Sequence, residues 1–283
     1  MGPFIAPHAV RSAHTKPEFA YPNGPRYAAL KAIMALGTTD TRYGGDAHYV
    51  GGAVGHTNLQ WGVLFKTVMA GPPDPAVVGE AWPKLFQPDY TEVVTKILQA
   101  KPQALYSCLW GGDLTSYIDQ ANIYALFGQM EVFAVNMADY TALTVVKNLP
   151  KGIHSGNRYI KTYPATAENA AWGDAYKAKY GEYPTNWSWE NATAMQLLAE
   201  ASKKANSADG KKIAEALKGL KIKSPFGADG TVTMRAEDNT LVGYAIGWGT
   251  TIPQEPYVPD VKPGDWKMIF ELEAEWKKGK GYT

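Results

Sequence analysis

Trp110-Gly111-Gly112-Asp113 is the first place in the sequence where residue types and spacing could do chemistry. It follows an apolar run and precedes a helical pattern, so it joins the carboxyl end of a strand to a helix N-terminus. In open α/β sheets that is where ligands gather, and unbonded N–H groups there attract an anion. The plain structural reading is that the two glycines make a tight turn and Asp113 caps the helix. Met137-Ala138-Asp139-Tyr140 has the same form after the next strand pattern. Trp187 and Trp189 fall at a loop-to-helix junction, where an aromatic wall for a ligand is conceivable among the nine tryptophans and 17 tyrosines that otherwise serve packing.

Other chemistry finds little purchase. Cys108 stands alone within an apolar run, so it makes no internal disulfide or thiolate metal site and reads as a buried, inert thiol. His48 and His56 flank Gly51, Gly52 and Gly55, but the spacing matches neither phosphate-binding glycine pattern. There is no G-x-S-x-G elbow, no H-E-x-x-H and no paired Cys/His set. We expect neither cofactor nor metal. The sequons at Asn186 and Asn191 matter only on a eukaryotic secretory route.

Regular elements must position those turns. From Ala76 to Trp82 the pattern predicts a strand, then a helix over Tyr90–Lys101 with Asp89 and Glu92 as a capping box and Val93, Val94, Ile97 and Leu98 buried. Gln103–Trp110 is the next strand. Asp113 should N-cap a helix burying Leu114, Tyr117, Ile118, Ala121 and Leu126, with Gly128 just past its end. Glu131–Met137 is a third strand, a short helix spans 140–147, and Ile153–Tyr163 is a fourth strand. Helices are expected at 166–180, ending at Gly181, at 189–205 with Ala192, Met195, Leu198 and Ala199 inward, and over Asp209–Leu220. Asp229-Gly230 marks a turn between antiparallel strands, and a helix near Asp265–Lys277 closes the chain. Alternation of strands and helices predicts α/β architecture with a parallel sheet.

Composition sets the frame. The 283 residues are 45% hydrophobic and 19% charged, with a formal net charge of +1, which is globular and lacks the cationic footprint of a nucleic-acid binder. No apolar run reaches the roughly 18–20 residues that cross a bilayer. Pro3, Pro7, His8, Arg11 and His14 interrupt any signal-peptide core. Residues 1–73 differ from the rest: they hold six of the 28 Lys/Arg, three of the 27 Asp/Glu and four of the five histidines. Helices are plausible there at 25–36 and 57–70, with loop from Thr38 to Gly55.

The run Asp89–Asp113, DYTEVVTKILQAKPQALYSCLWGGD, resembles the second lobe of type I ABC-transporter solute-binding proteins of the branched-chain amino-acid (Leu/Ile/Val-binding) family. The likeness continues through Asn148–Gly152, Ala175–Gly181, Asn191–Leu198, Gly230–Arg235, Tyr244–Gly249 and Glu255–Pro259, about three quarters of the chain. It implies a periplasmic-binding-protein-like α/β fold, with parallel sheets flanked by helices and two lobes joined by three crossovers. The organisation expected is an incomplete lobe one at 1–73, a second lobe at 74–200, then crossover segments, hairpin and terminal helix at 201–283.

The resemblance further implies a non-enzymatic, periplasmic protein that closes on a small solute and docks to a permease. By position, Trp110, Gly111 and Asp113 fall in one ligand-facing turn and Met137, Asp139 and Tyr140 in another. Asn186 or Trp187 falls near an aromatic wall position. No glutamate occupies the 137–140 turn that holds an amino-acid ammonium in the family, so an aromatic acid or amide is as plausible a solute as a hydrophobic amino acid. The first lobe's opening does not follow the family. We therefore expect 1–73 to be poorly ordered or covered by a second copy in a two-fold dimer. The alternatives are a truncated relative acting as an assembly or sensory module, and an α/β enzyme with Asp113, Asp139 or a histidine of the first segment as base.

Overall fold

The computed structural model describes residues 47–50, then 77–267 except 85, 108, 135, 158 and 238, and finally 270, 271, 274 and 278. The expectations for Cys108 and for most of 1–73 lie outside these residues. The described chain forms two units. One contains 47–50, 77–157 and Gly247–Pro263; the other contains 159–246 and the residues from Gly264 onward. Between described residues the chain passes from one unit to the other three times, after 157, 246 and 263. Residue 200, where the resemblance ended the second lobe, lies inside a helix of the second unit.

The first unit is built on a mixed seven-stranded sheet. Its strands are β1 (Ala47–Val50), β2 (Val77–Ala81), β3 (Ala104–Ser107), β4 (Glu131–Ala134), β5 (Ile153–Asn157), β9 (Gly247–Thr250) and β10 (Lys262–Pro263), in the spatial order β10-β9-β5-β4-β3-β1-β2. From β5 to β2 all neighbours are parallel, while β9 and β10 join antiparallel. Every residue of β3 is buried, as a strand covered on both faces requires. The loop expected over Thr38–Gly55 is corrected by β1, which lies between β2 and β3. Its four residues AHYV show no clear apolar alternation, and it is held by ladders on both sides.

Helix α1 (Thr91–Ala100) buries Val94 and Ile97 and ends at Lys101, just before Pro102. Its N-cap is Tyr90, so the Asp89/Glu92 capping box does not form; Asp89 Oδ1 instead accepts from Thr91 N at 2.8 Å. Helix α2 (Gly111–Ile123) buries Leu114, Tyr117, Ile118 and Ala121 as expected. It stops before Tyr124, and Gly128 belongs to a short 3-10 turn, Leu126–Gly128, that buries Leu126. The helix near 140 is a single turn, α3 (Tyr140–Leu143), and β5 ends at Asn157 rather than running to Tyr163.

The second unit packs α4 (Ala167–Tyr180), α5 (Asn186–Ala205) and α6 (Gly210–Leu217) with a three-stranded antiparallel sheet. Its strands are β6 (Lys221–Lys223), β7 (Thr231–Met234) and β8 (Leu241–Val242). Thr166 caps α4 and Gly181 ends it at φ +80, in the left-handed region where a β-carbon is unwelcome. Asp209 caps α6 by accepting from Lys211 N and Lys212 N. Its core is aromatic: Trp172 and Trp189 pack on Phe226 at 4.7 and 5.6 Å, and Trp189 on Tyr244 at 5.1 Å. The expected face of α5 is rotated. The buried row is Asn186, Trp189, Glu190, Thr193, Leu197 and Ala201, and Met195 is 66% exposed. Apolarity selected a neighbouring row because half of the true one is polar.

Candidate functional site

Local chemistry builds the turn after β3. Leu109 is buried, and Trp110, in extended conformation, becomes the N-cap residue of α2, turning out a ring that is 53% exposed. An indole offers no acceptor, so no side-chain hydrogen bond caps α2. Gly111 follows at φ +55, and a β-carbon built on Gly111 or Gly112 meets no atom within 4 Å. The start of α2 thus combines an open approach, an exposed flat ring and a helix terminus not satisfied by its own cap.

Asp113 is not the cap it was expected to be. It sits in the first turn, is 5% exposed, and its Oδ1 accepts from Phe86 N at 2.9 Å and from the Tyr90 hydroxyl at 2.8 Å. Gln120 adds a second tie, accepting from Tyr90 N and donating to the Pro88 carbonyl. Segment 86–90 is thereby fastened to α2 at two points. Burial, then the hydrogen bond and charge of Asp113, push the Tyr90 phenol above its ordinary range.

The turn after β4 is more enclosed. Met137, Asp139 and Tyr140 are all buried. Asp139 N-caps α3, accepting from Thr141 N at 2.8 Å and Thr141 Oγ1 at 2.7 Å. Tyr140 lies edge-on to Tyr257 at 6.3 Å. Asn136 Nδ2 donates to the Leu109 carbonyl at 3.0 Å, and Ala138 N donates to Ser155 Oγ at 2.8 Å. These two bonds tie the segments that follow β3 and β4 to each other and to the middle of β5.

The structure therefore brings Trp110, Gly111, Asp113, Met137, Asp139 and Tyr140 into one neighbourhood of the first unit. Trp187 belongs to the second unit. It is not in a loop: α5 begins at Asn186, three residues earlier than expected, and Trp187 is 45% exposed in its first turn. That start is fully furnished. Thr185 and Ser188 form a reciprocal capping box, and Asn186 Oδ1 accepts from Tyr159 N at 3.0 Å. Sequence reading missed Phe86, Asn136 and Ser155. A polar residue just before the Met137–Tyr140 turn was the available signal for Asn136, and nothing flagged Phe86.

His154 bonds Glu131 Oε2 through Nε2 at 3.0 Å and stacks on Phe133 at 4.9 Å. That pair is reached through the first residue of β4, far along the strand from the turns. A cavity of about 520 Å³ also opens there, lined by Gln103, Met130, Glu131, Lys151 and Ile153; none of the expected site residues lines it. Among the described residues no group of three His, Cys, Asp or Glu could hold a metal ion, and no helix is long and apolar enough to cross a membrane.

Comparison with known proteins bears on this geometry. The sequence model of the family described as periplasmic binding protein matches residues 66–246. Among solved structures, the amino acid ABC transporter substrate-binding protein from Pseudomonas fluorescens Pf-5 superposes with a TM-score of 0.70 at 17% identity, over 85% of this chain and 64% of its own. A solute binding protein of an ABC transporter from Rhodopseudomonas palustris BisB5, in complex with 3,4-dihydroxy benzoic acid, gives 0.71 at 20% identity over 82% and 62%. A leucine binding protein from Thermotoga maritima MSB8 gives 0.65 at 16% over 85% and 65%. The chain thus spans just under two thirds of the length of these proteins. No curated protein matches the sequence.

Proposed function

The chain belongs to the periplasmic binding protein family, and from that premise we propose that it is the solute-binding component of an ABC transporter, taking up a small solute in the periplasm for a membrane permease. The observation that carries this reading is the start of α2. An exposed tryptophan stands beside a helix N-terminus that its own N-cap side chain leaves unsatisfied, with open space before Gly111 and Gly112. A flat ring against Trp110 with a carboxylate at the α2 terminus fits that arrangement. Of the solutes considered, hydrophobic or aromatic amino acids, amides and aromatic acids, we favour the aromatic acid. The carboxylate that would hold an ammonium, Asp139, is buried in capping α3. A neighbouring fold that holds 3,4-dihydroxy benzoic acid adds support.

In this reading Trp110 and Gly111 touch the solute, and the Met137–Tyr140 turn backs them through Asn136. The solute shifts an open–closed equilibrium by its differential affinity for the closed form, with the described chain crossings as hinge. Two of the candidate bases, Asp113 and Asp139, are engaged with other groups, which favours binding without turnover.

Calorimetric titration of the full chain with 3,4-dihydroxybenzoate, benzoate and leucine tests the proposal. We expect one-to-one binding of an aromatic acid, and a thermal shift equivalent to about 2.7 kcal/mol at 100 times Kd. Chemical conversion of the solute, or no binding of any member of the panel, would overturn it. Light scattering at several concentrations separately tests the two-fold dimer.

A further inference from the structure

We propose that Phe86 is a specificity-determining residue of this site, forming with Trp110 two aromatic walls that select a flat aromatic carboxylate over an aliphatic solute, and that Asp113 is its positioning residue. The inference rests on the solute-binding reading above.

Phe86 is 75% exposed, and its backbone stands at φ +57. A bulky residue seldom adopts the left-handed region, and such a conformation persists only where the surroundings over-determine it. Here they do. Phe86 N donates to Asp113 Oδ1 at 2.9 Å, while Gln87 N donates to the Lys84 carbonyl and Lys84 N to Gln87 Oε1, closing the turn around it. Tyr90, four residues on, is held by the same Asp113 carboxylate and by Gln120. The exposed ring is therefore carried on a fixed support rather than on a slack loop.

That support is the first turn of α2. Asp113 lies three residues after Trp110, so the backbone of Phe86 is bonded to the same turn whose N-cap presents the exposed indole. Phe86 and Trp110 are thus two exposed aromatic residues tied through the backbone to one helix turn, and one of them is held in a left-handed conformation. An aromatic ring held between two others gains face and edge contacts that an isobutyl group does not. The chemistry recognised is thus a planar ring with a carboxylate at the helix terminus. Asp113 acts through Phe86 and has no contact of its own with the solute.

Calorimetry with 3,4-dihydroxybenzoate and with leucine, on the full chain and its variants, tests this. Phe86→Ala should weaken the aromatic acid by about tenfold and leave leucine within twofold of its wild-type value, at an unchanged melting temperature. Phe86→Leu, which keeps bulk without a ring, should behave like Phe86→Ala, and Phe86→Tyr should restore binding. Asp113→Ala should reproduce the loss of selectivity, while Asp113→Asn, which keeps an acceptor, should not. If the wild type binds the aromatic acid and Phe86→Ala binds it equally well, Phe86 is no wall, and the solute-binding reading stands without it. Selectivity retained in Asp113→Ala removes the positioning role. A wild type that binds leucine alone overturns this inference, and one that binds no solute overturns it together with the reading beneath it.

Discussion

The starts of α2 and α5 both carry tryptophan, and they are furnished in opposite ways. At α5 the N-cap Thr185 and Ser188 satisfy each other's backbone, Asn186 holds Tyr159 N, and Trp189 is fully buried against Phe226 and Tyr244. At α2 the N-cap is a tryptophan that can satisfy nothing; its ring is exposed, and the space before the two glycines is open. A helix start that closes on itself has a structural task. One that forgoes a cap worth about 1 kcal/mol leaves its dipole and amides to something else.

Substitutions at the two starts should therefore diverge. The largest effect is expected at the closed one: Trp189→Ala should cost about 3–5 kcal/mol in urea unfolding, because its removal opens a cavity in an aromatic core. A cost no greater than that of Trp110→Ala would break the contrast. Trp110→Ala should spare the melting temperature and weaken solute binding by roughly 1–3 kcal/mol, read by calorimetry. Capping exchanges sharpen the comparison further. Thr185→Ala should lose about 1 kcal/mol of stability, whereas Trp110→Ser, which gives α2 the cap it lacks, should gain up to about 1 kcal/mol while affinity falls. A Trp110→Ser protein that binds as tightly as the wild type would detach binding from the open start.

The smallest effect is on alkaline stability. Burial raises the phenols of Tyr117 and Tyr90, the latter with help from Asp113, above their ordinary value of 10.0. In the unfolded chain they ionise near that value, and in the folded chain only above it. Their contribution is therefore fully present below about pH 10 and is lost as pH rises beyond it. Melting temperatures measured from pH 9 to 11.5 should fall more steeply in the wild type than in a Tyr90→Phe, Tyr117→Phe double variant; parallel curves would remove these phenols as the cause.

The elements that were legible carry their own local signals. Helix α4 announces itself with Thr166 and Gly181, α6 with Asp209, and α1 and α2 with apolar residues at helical spacing ended by Pro102 or by lost periodicity. What stayed hidden depends on partners distant in sequence. Strand β1 has no apolar alternation and exists because β2 and β3 flank it. The inward row of α5 includes Asn186, Glu190 and Thr193, which apolar periodicity cannot choose. At the site, Trp110, Gly111 and Asp113 could be singled out as one turn, but the role of Asp113 could not. An aspartate two residues into a helix reads as a cap until Phe86 and Tyr90 are seen to converge on it.

The pairing of β5 with β9 has a consequence for the making of the protein. His154 through Asn157 find their antiparallel partners at Gly247 to Thr250, and every residue between belongs to the other unit. Emerging from the ribosome at roughly 5–20 residues per second, the chain presents β5 on the order of ten seconds before β9 exists. Throughout that interval the backbone donors and acceptors along one side of β5 form an open edge, which any passing strand can occupy. The nascent protein is thus most vulnerable to misassembly while its second unit is being synthesised, and a chaperone that shields strand edges would act on this chain before it is complete.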